Sequence, residues 1–278
     1  MGWQLWTSPE TGYRRVGTRF LDVRELFTSG ITVKAIYEPL KSCPIKADAI
    51  ELKCDLERRD FDLAGVVDQK QDVVGYVDTA KLDEGKIEDY LEAFNSSHLI
   101  ADSTPIPELF SELLKNNQLF VLSGSKISGI VTVSDLNKPP VRIYLFGIIS
   151  LLEMHLTYWI NELYNEESWV DLIPEERLML ARKLLAKKRD KNQEIDLVNC
   201  LQFADKKTVL VNTKIFRKKL ALGSKKAVKK QLERAQGIRD NLAHSQNDIA
   251  IEHNWEKIHE TLSWAENLLS NSDRLVES

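Results

Sequence analysis

At Asn137-Lys138-Pro139-Pro140 the chain changes its grammar. Consecutive prolines remove two backbone donors and push the residue before them into an extended conformation, so no element can run through this point unbroken. Before it, short apolar runs alternate with polar turns; after it, apolar residues recur at helical spacing. With 278 residues the chain is also longer than one typical domain. The expected class is α+β in two domains: a mixed α/β region at 30–140 and an all-α region at 141–278, with 1–29 as an extension packing on the first.

Within residues 30–135, ADAIELKCDL, LAGVVDQ, DVVGYVD, QLFVLSG and SGIVTVSD read as strands, being β-branched runs bounded by Gly, Asp and Ser. KIEDYLEAF and IPELFSELLKNN space their apolar residues as helices do. VVGYVDTAKL (73–82) and ISGIVTVSDL (127–136) share the frame apolar–small–Gly–apolar–apolar–polar and lie 54 residues apart. Each follows an apolar strand by a short turn, which suggests two copies of one module, about 30–85 and 95–138. Two similar hairpins without a common origin would give the same pattern.

Beyond 141 the predicted helices are IYLFGIISLLEMHLTYWINELY, PEERLMLARKLLAKKRD, IDLVNCLQFADKKTVLV, SKKAVKKQLERAQGIRDNLAHS and NWEKIHETLSWAENLLSNS, a bundle of four or five. Ser224 suits the N-cap of its helix. The net charge of −4 hides an asymmetry, because Arg177–Asp240 holds 19 Lys or Arg against 6 Asp or Glu. Lys218, Lys219, Lys225, Lys226, Lys229 and Lys230 concentrate it, as expected of a surface for a polyanion such as RNA; a solvated face serving solubility is the plainer reading.

Other classes are disfavoured. Cys43, Cys54 and Cys200 form no metal or disulfide pattern. His253 and His259, six apart, point in different directions on a helix and make a poor metal pair, while His98 and His155 read as structural. The apolar stretch at 144–160 is interrupted by Glu153 and His155, so a buried bundle helix is expected rather than a membrane span. No signal peptide is visible in MGWQLWTSPETGYRR, and a cytoplasmic location is expected.

Gly129-Ile130-Val131-Thr132-Val133-Ser134-Asp135 is a strand running into a polar turn, where free backbone N–H groups, hydroxyls and a carboxylate come together. This stretch resembles the ligand motif of the CBS domain family, Gly–apolar–apolar–Thr–x–x–Asp, and residues 30–137 resemble a tandem (Bateman-type) CBS pair. The resemblance implies a regulatory module for adenosyl ligands, here AMP, ADP or ATP, with Thr132 on phosphate and Asp135 on ribose, and Ser134 beside them. In the first copy Asp78 and Lys81 replace the motif's Thr and Asp, which implies one nucleotide per chain.

GIRDNLAHSQ (237–246) places Arg239, Asp240, Asn241 and His244 in one short stretch. On a helix Asp240 and Asn241 share a face with His244, and Arg239 can swing toward it, bringing together a cation for phosphate charge and a group that titrates near neutrality. Gly237 is a point where the helix could loosen. The stretch resembles the Arg-x4-His motif of the HEPN superfamily of helical bundles. The resemblance implies metal-independent RNA cleavage by 2′-OH attack, leaving a 2′,3′-cyclic phosphate and a 5′-hydroxyl. His244 would act as acid or base, Arg239 would steady the phosphorane, and Asp240 and Asn241 would position them, in a site shared across a homodimer. Together the resemblances imply a nucleotide-regulated ribonuclease, toxin-like or stress-responsive. The alternative is a non-catalytic nucleotide sensor whose helical domain binds RNA or a protein.

Overall fold

The computed structural model describes residues 25–26, 29–191, 193, 195–243, 249–250 and 254–277. They separate into two compact units, one over Leu26–Val141 and one that groups Glu25 with the residues from Arg142 onward. Most of the 1–29 extension lies outside the described residues.

In the first unit, β1 (Glu38–Pro39) and β2 (Ser42–Pro44) precede α1 (Ala49–Arg58), β3 (Leu63–Val67) and β4 (Val73–Asp78). Then come β5 (Leu99–Ala101), α2 (Ile106–Asn116), β6 (Gln118–Ser123) and β7 (Lys126–Thr132). The same strand–helix–strand–strand unit occurs twice. β2 runs parallel to β3, and β5 to β6; β3 and β6 each pair antiparallel with the strand that follows. Each hairpin carries an irregularity at the matching place, after Val66 and after Val121. Val66 pairs with Gly75, and Val121 with Gly129.

The copies also exchange their leading segments. β1, ahead of the first copy, pairs with β7 of the second, Pro39 opposite Gly129. Glu92, ahead of the second copy, bridges Tyr76 on β4 of the first, with N–H···O distances of 2.9 and 3.0 Å in the two directions. Tyr76, Phe94 and Phe120 then stack across the copies, with ring centroids 4.8–5.7 Å apart.

Two segments of this unit differ from their predicted form. ADAIELKCDL, expected as a strand, is the helix α1. Asp48 caps it, accepting from the N–H groups of Ile50 and Glu51, and Ala49, Leu52 and Leu56 bury one helical stripe. KIEDYLEAF, expected as a helix, makes only a 3-10 turn at Ile87–Tyr90, because its next residues are drawn out to pair with β4. IPELFSELLKNN is helical as its spacing predicts.

The second unit holds six α-helices among the described residues. They are α3 (Pro139–Leu163), α4 (Glu175–Arg189), α5 (Phe203–Asn212), α6 (Lys214–Lys219), α7 (Lys225–Ala243) and α8 (Trp255–Glu277). Ser224 caps α7, its hydroxyl accepting from Ala227 N at 3.2 Å, and α7 runs unbroken through Gly237. IDLVNCLQFADKKTVLV does not form one helix: a 3-10 turn at Leu197–Cys200 precedes α5, which starts where Asp205 folds back on Gln202 N. By length and composition α3 is apolar enough to cross a membrane. Its Leu145, Ile148, Leu152, Leu156 and Trp159 are instead buried as core, and Trp159 donates to Ser272 of α8 and packs edge-on against Phe216 of α6.

Candidate functional site

β7 ends at Thr132 because the chain there closes a reciprocal cap. Asp135 reaches back to Thr132, accepting from its N–H at 2.7 Å and its hydroxyl at 3.1 Å, and the turn 133–137 is held as a 3-10 helix. The second oxygen of Asp135 pairs with Lys138 at 2.8 Å. Lys138 also donates to the Glu38 carboxylate and to the carbonyl of Ile36, which binds the exchanged β1 to the motif. Asp135 is buried, 7% exposed.

Beside this cap lies a cavity of about 370 Å³. Glu38, Pro39 and Lys41 line it from the β1–β2 segment, Asp60–Leu63 from the end of α1 onto β3, and Gln118, Ile130, Thr132 and Asp135 from the second copy. It is made by both copies together, and is large enough for part of a nucleoside-sized ligand. Its lining is acidic, with Glu38, Asp60, Asp62 and Asp135 against Lys41.

Thr132 and Asp135 thus line one cavity, but Ser134 is exposed and absent from its wall. Two of the backbone N–H groups expected to be free here are taken: Thr132 N by Asp135, and Val133 N by the carbonyl of Asn117 at 3.2 Å. The Thr132 hydroxyl proton also points at Asp135, so contact with a phosphate would require that hydrogen bond to be exchanged.

The first copy resolves the same position differently. Lys81 stands 54 residues before Asp135, and Glu92 stands 54 after Glu38. Lys81 pairs with Glu92 at 2.6 Å and lies 3.9 Å from Asp78, while Tyr76 donates to the other Glu92 oxygen at 3.0 Å. The Glu92 hydrogen bond holds the Lys81 ammonium above its usual pKa, and Lys81 holds the Glu92 carboxyl below its own. One lysine does here what Lys138 does in the second copy, from the place the motif gives to its carboxylate.

In the helical unit, Arg239, Asp240 and Asn241 fall on the last turns of α7; His244 lies outside the described residues. Arg239 contacts Asp240 at 3.0 Å and Glu153 of α3 at 3.5 Å, and its guanidinium lies 5.6 Å from the centre of the Phe203 ring. Glu153 also holds the buried Lys206 at 3.0 Å. Asn241 is buried, its amide directed at the carbonyl of Ile249 at 3.5 Å, so it braces the end of α7 rather than facing outward.

No family model and no curated protein matches this chain. Solved structures match it in part. CBSX2 in complex with AMP is 20% identical, covering 41% of this chain and 99% of its own, with a TM-score of 0.35. The CBS domains of a transcriptional regulator from Streptococcus pneumoniae are 21% identical, covering 38% and 97%, with a TM-score of 0.33. An uncharacterized conserved protein from Pyrococcus horikoshii is 17% identical, covering 39% and 90%, with a TM-score of 0.34.

The six lysines expected to face a polyanion, Lys218, Lys219, Lys225, Lys226, Lys229 and Lys230, are all exposed. Lys219 is partly engaged, its ammonium 5.8 Å from the centre of the Trp159 ring, and Lys229 sits 3.7 Å from Glu233. Sequence reasoning missed Glu38, Lys41, Asp60–Leu63, Gln118 and Lys138. The signal was present for one of them: Glu38 and Glu92 occupy one place in the 54-residue frame. Among the described residues no group of His, Cys, Asp and Glu is placed to hold a metal ion.

Proposed function

We propose that residues 30–140 form a CBS pair that takes one adenine nucleotide per chain, and that the helical unit is its effector, directed at RNA in the cytoplasm. The observation that carries the reading is the cavity at Thr132 and Asp135, lined by both copies and tied through Lys138 to the exchanged strand. A ligand that engages Asp135 must act on the same carboxylate that steadies Lys138, the last residue before α3. Occupancy would thereby bias the start of that helix, which is the form a regulatory coupling needs.

The RNA-directed part rests on the exposed lysines and on the Arg239-x4-His244 spacing. Its stronger form is metal-independent cleavage at a site completed by a second chain. Binding without cleavage is the second reading, favoured by the engagement of Arg239 with Asp240, Glu153 and Phe203. Incubating RNA with the protein in EDTA, with and without AMP, separates the two. Fragments bearing cyclic-phosphate and 5′-hydroxyl ends, lost in Arg239→Ala and His244→Ala while RNA binding survives, support cleavage; intact RNA with undiminished binding leaves the regulator. For the sensor, Asp135→Ala should abolish adenine-nucleotide binding, and an unchanged titration refutes it.

A further inference from the structure

A second concavity, of about 240 Å³, lies between α5 and α7 and is lined by Lys207, Thr208, Val211, Asn212, Lys225 and Lys229. Three of its six lining residues are lysines and none is a carboxylate. Lys225 and Lys229 are i,i+4 neighbours on the first turns of α7, so they share a face at the helix's electropositive end. Lys207 approaches from α5 and is steadied by Gln236, which accepts from its ammonium at 2.9 Å. Thr208 and Asn212, also i,i+4, add a hydroxyl and an amide; the hydroxyl proton goes to Ala204 O at 2.9 Å and one amide proton to Thr208 O at 2.9 Å. Glu233 lies 3.7 Å from Lys229 and is outside the lining.

Three like charges with a single acid, Glu233, beside one of them repel one another, and an anion relieves that repulsion. Lysines bind as point charges and suit tetrahedral phosphate, whereas a carboxylate is matched better by the planar fork of arginine. Val211 is the only apolar lining residue, which gives an acidic peptide little side-chain purchase. We propose that the α5–α7 cleft is a phosphate-binding site, with Lys207, Lys225 and Lys229 as its cations, and that it seats a backbone phosphate of RNA. The choice of RNA over a free polyphosphate rests on the function proposed above; the phosphate site does not.

The test uses the full chain with two probes, a labelled single-stranded RNA of mixed sequence and inorganic tripolyphosphate. Lys207→Gln/Lys225→Gln/Lys229→Gln is compared with a control of equal charge change on α4, Lys183→Gln/Lys187→Gln/Lys188→Gln, after circular dichroism has shown both folded. The cleft variant should bind RNA about 10–100-fold more weakly near 0.1 M salt, and the slope of log K against log salt should shrink by about 2, near 0.7 per lysine. The control should keep most of its affinity. Loss of tripolyphosphate binding in the cleft variant, with no RNA binding even by the wild type, upholds the phosphate site and overturns RNA as its source. A cleft variant equal to the wild type with both probes, or a control that loses as much, overturns the site.

Discussion

A Cβ placed on Gly129 would lie 2.5 Å from the carbonyl oxygen of Glu38 and 2.1 Å from the Tyr37 ring. Gly75, its counterpart in the first copy, would place one 2.5 Å from the carbonyl of Glu92. The glycine of the repeated frame is therefore required where each copy receives the other's leading segment. Gly129→Ala should push β1 from β7 and destabilise the first unit by about 1–3 kcal/mol, the usual range for overpacking. Urea unfolding would measure this, and an unchanged midpoint would count against the close approach.

The acidic lining of the first cavity sets an order of ligands on the proposed reading. Glu38, Asp60, Asp62 and Asp135 outnumber Lys41 and the Lys138 that bridges Glu38 and Asp135, so each added phosphate meets a net repulsion. AMP should bind more tightly than ATP, by roughly fivefold per added phosphate if each charge costs about 1 kcal/mol. The gap should narrow as salt rises. Calorimetric titration with AMP, ADP and ATP at two salt concentrations decides it; ATP binding tightest at low salt would refute the electrostatic assignment.

Glu153 holds the buried Lys206 at 3.0 Å and reaches Arg239 at 3.5 Å. Glu153→Leu should leave the Lys206 ammonium buried without its carboxylate and cost about 2–3 kcal/mol, below the 3–5 kcal/mol of a fully buried pair because Glu153 keeps some solvent contact. Adding Lys206→Met should recover most of the loss. Equal stability of the single and double variants would show that the pair is not coupled.

His155 on α3 faces α8, its Nδ1 2.9 Å from Ser272 Oγ and its Nε2 3.9 Å from Asp273. Burial holds its pKa down to about 4, from an ordinary value of 6.5. The unfolded chain takes up a proton that the folded one resists. The stability of the neutral ring is thus complete above pH 6.5 and is lost as pH falls toward 4. The loss across that interval is roughly 3 kcal/mol, at about 1.4 kcal/mol per pH unit. Tryptophan-monitored unfolding at pH 7 and pH 5 should show about 2 kcal/mol of it for the wild type and much less for His155→Gln.

Local spacing was enough for α2, α7 and α8, whose apolar residues repeat every three or four positions, and for the two hairpins, whose runs alternate around short turns. The Thr132–Asp135 cap is also a local event, closing over three residues, but the roles expected of the two came from the resemblance of their motif and not from spacing. It misread ADAIELKCDL, where an Asp48 cap outweighed a β-like composition, and KIEDYLEAF, where pairing with β4 outweighed a helical pattern.

By itself, then, the sequence determined the division at the prolines, the duplication and the basic bias of the helical half, all of which depend on neighbours in the chain. Only the tertiary structure decided that the copies exchange leading segments, that Lys138 and Lys81 serve equivalent carboxylates from different positions, and that Lys207 joins Lys225 and Lys229 in one cleft. These pairings join residues from 11 to about 100 positions apart in the chain. Local propensity carries no record of such contacts, which depend on how elements distant in the chain pack together.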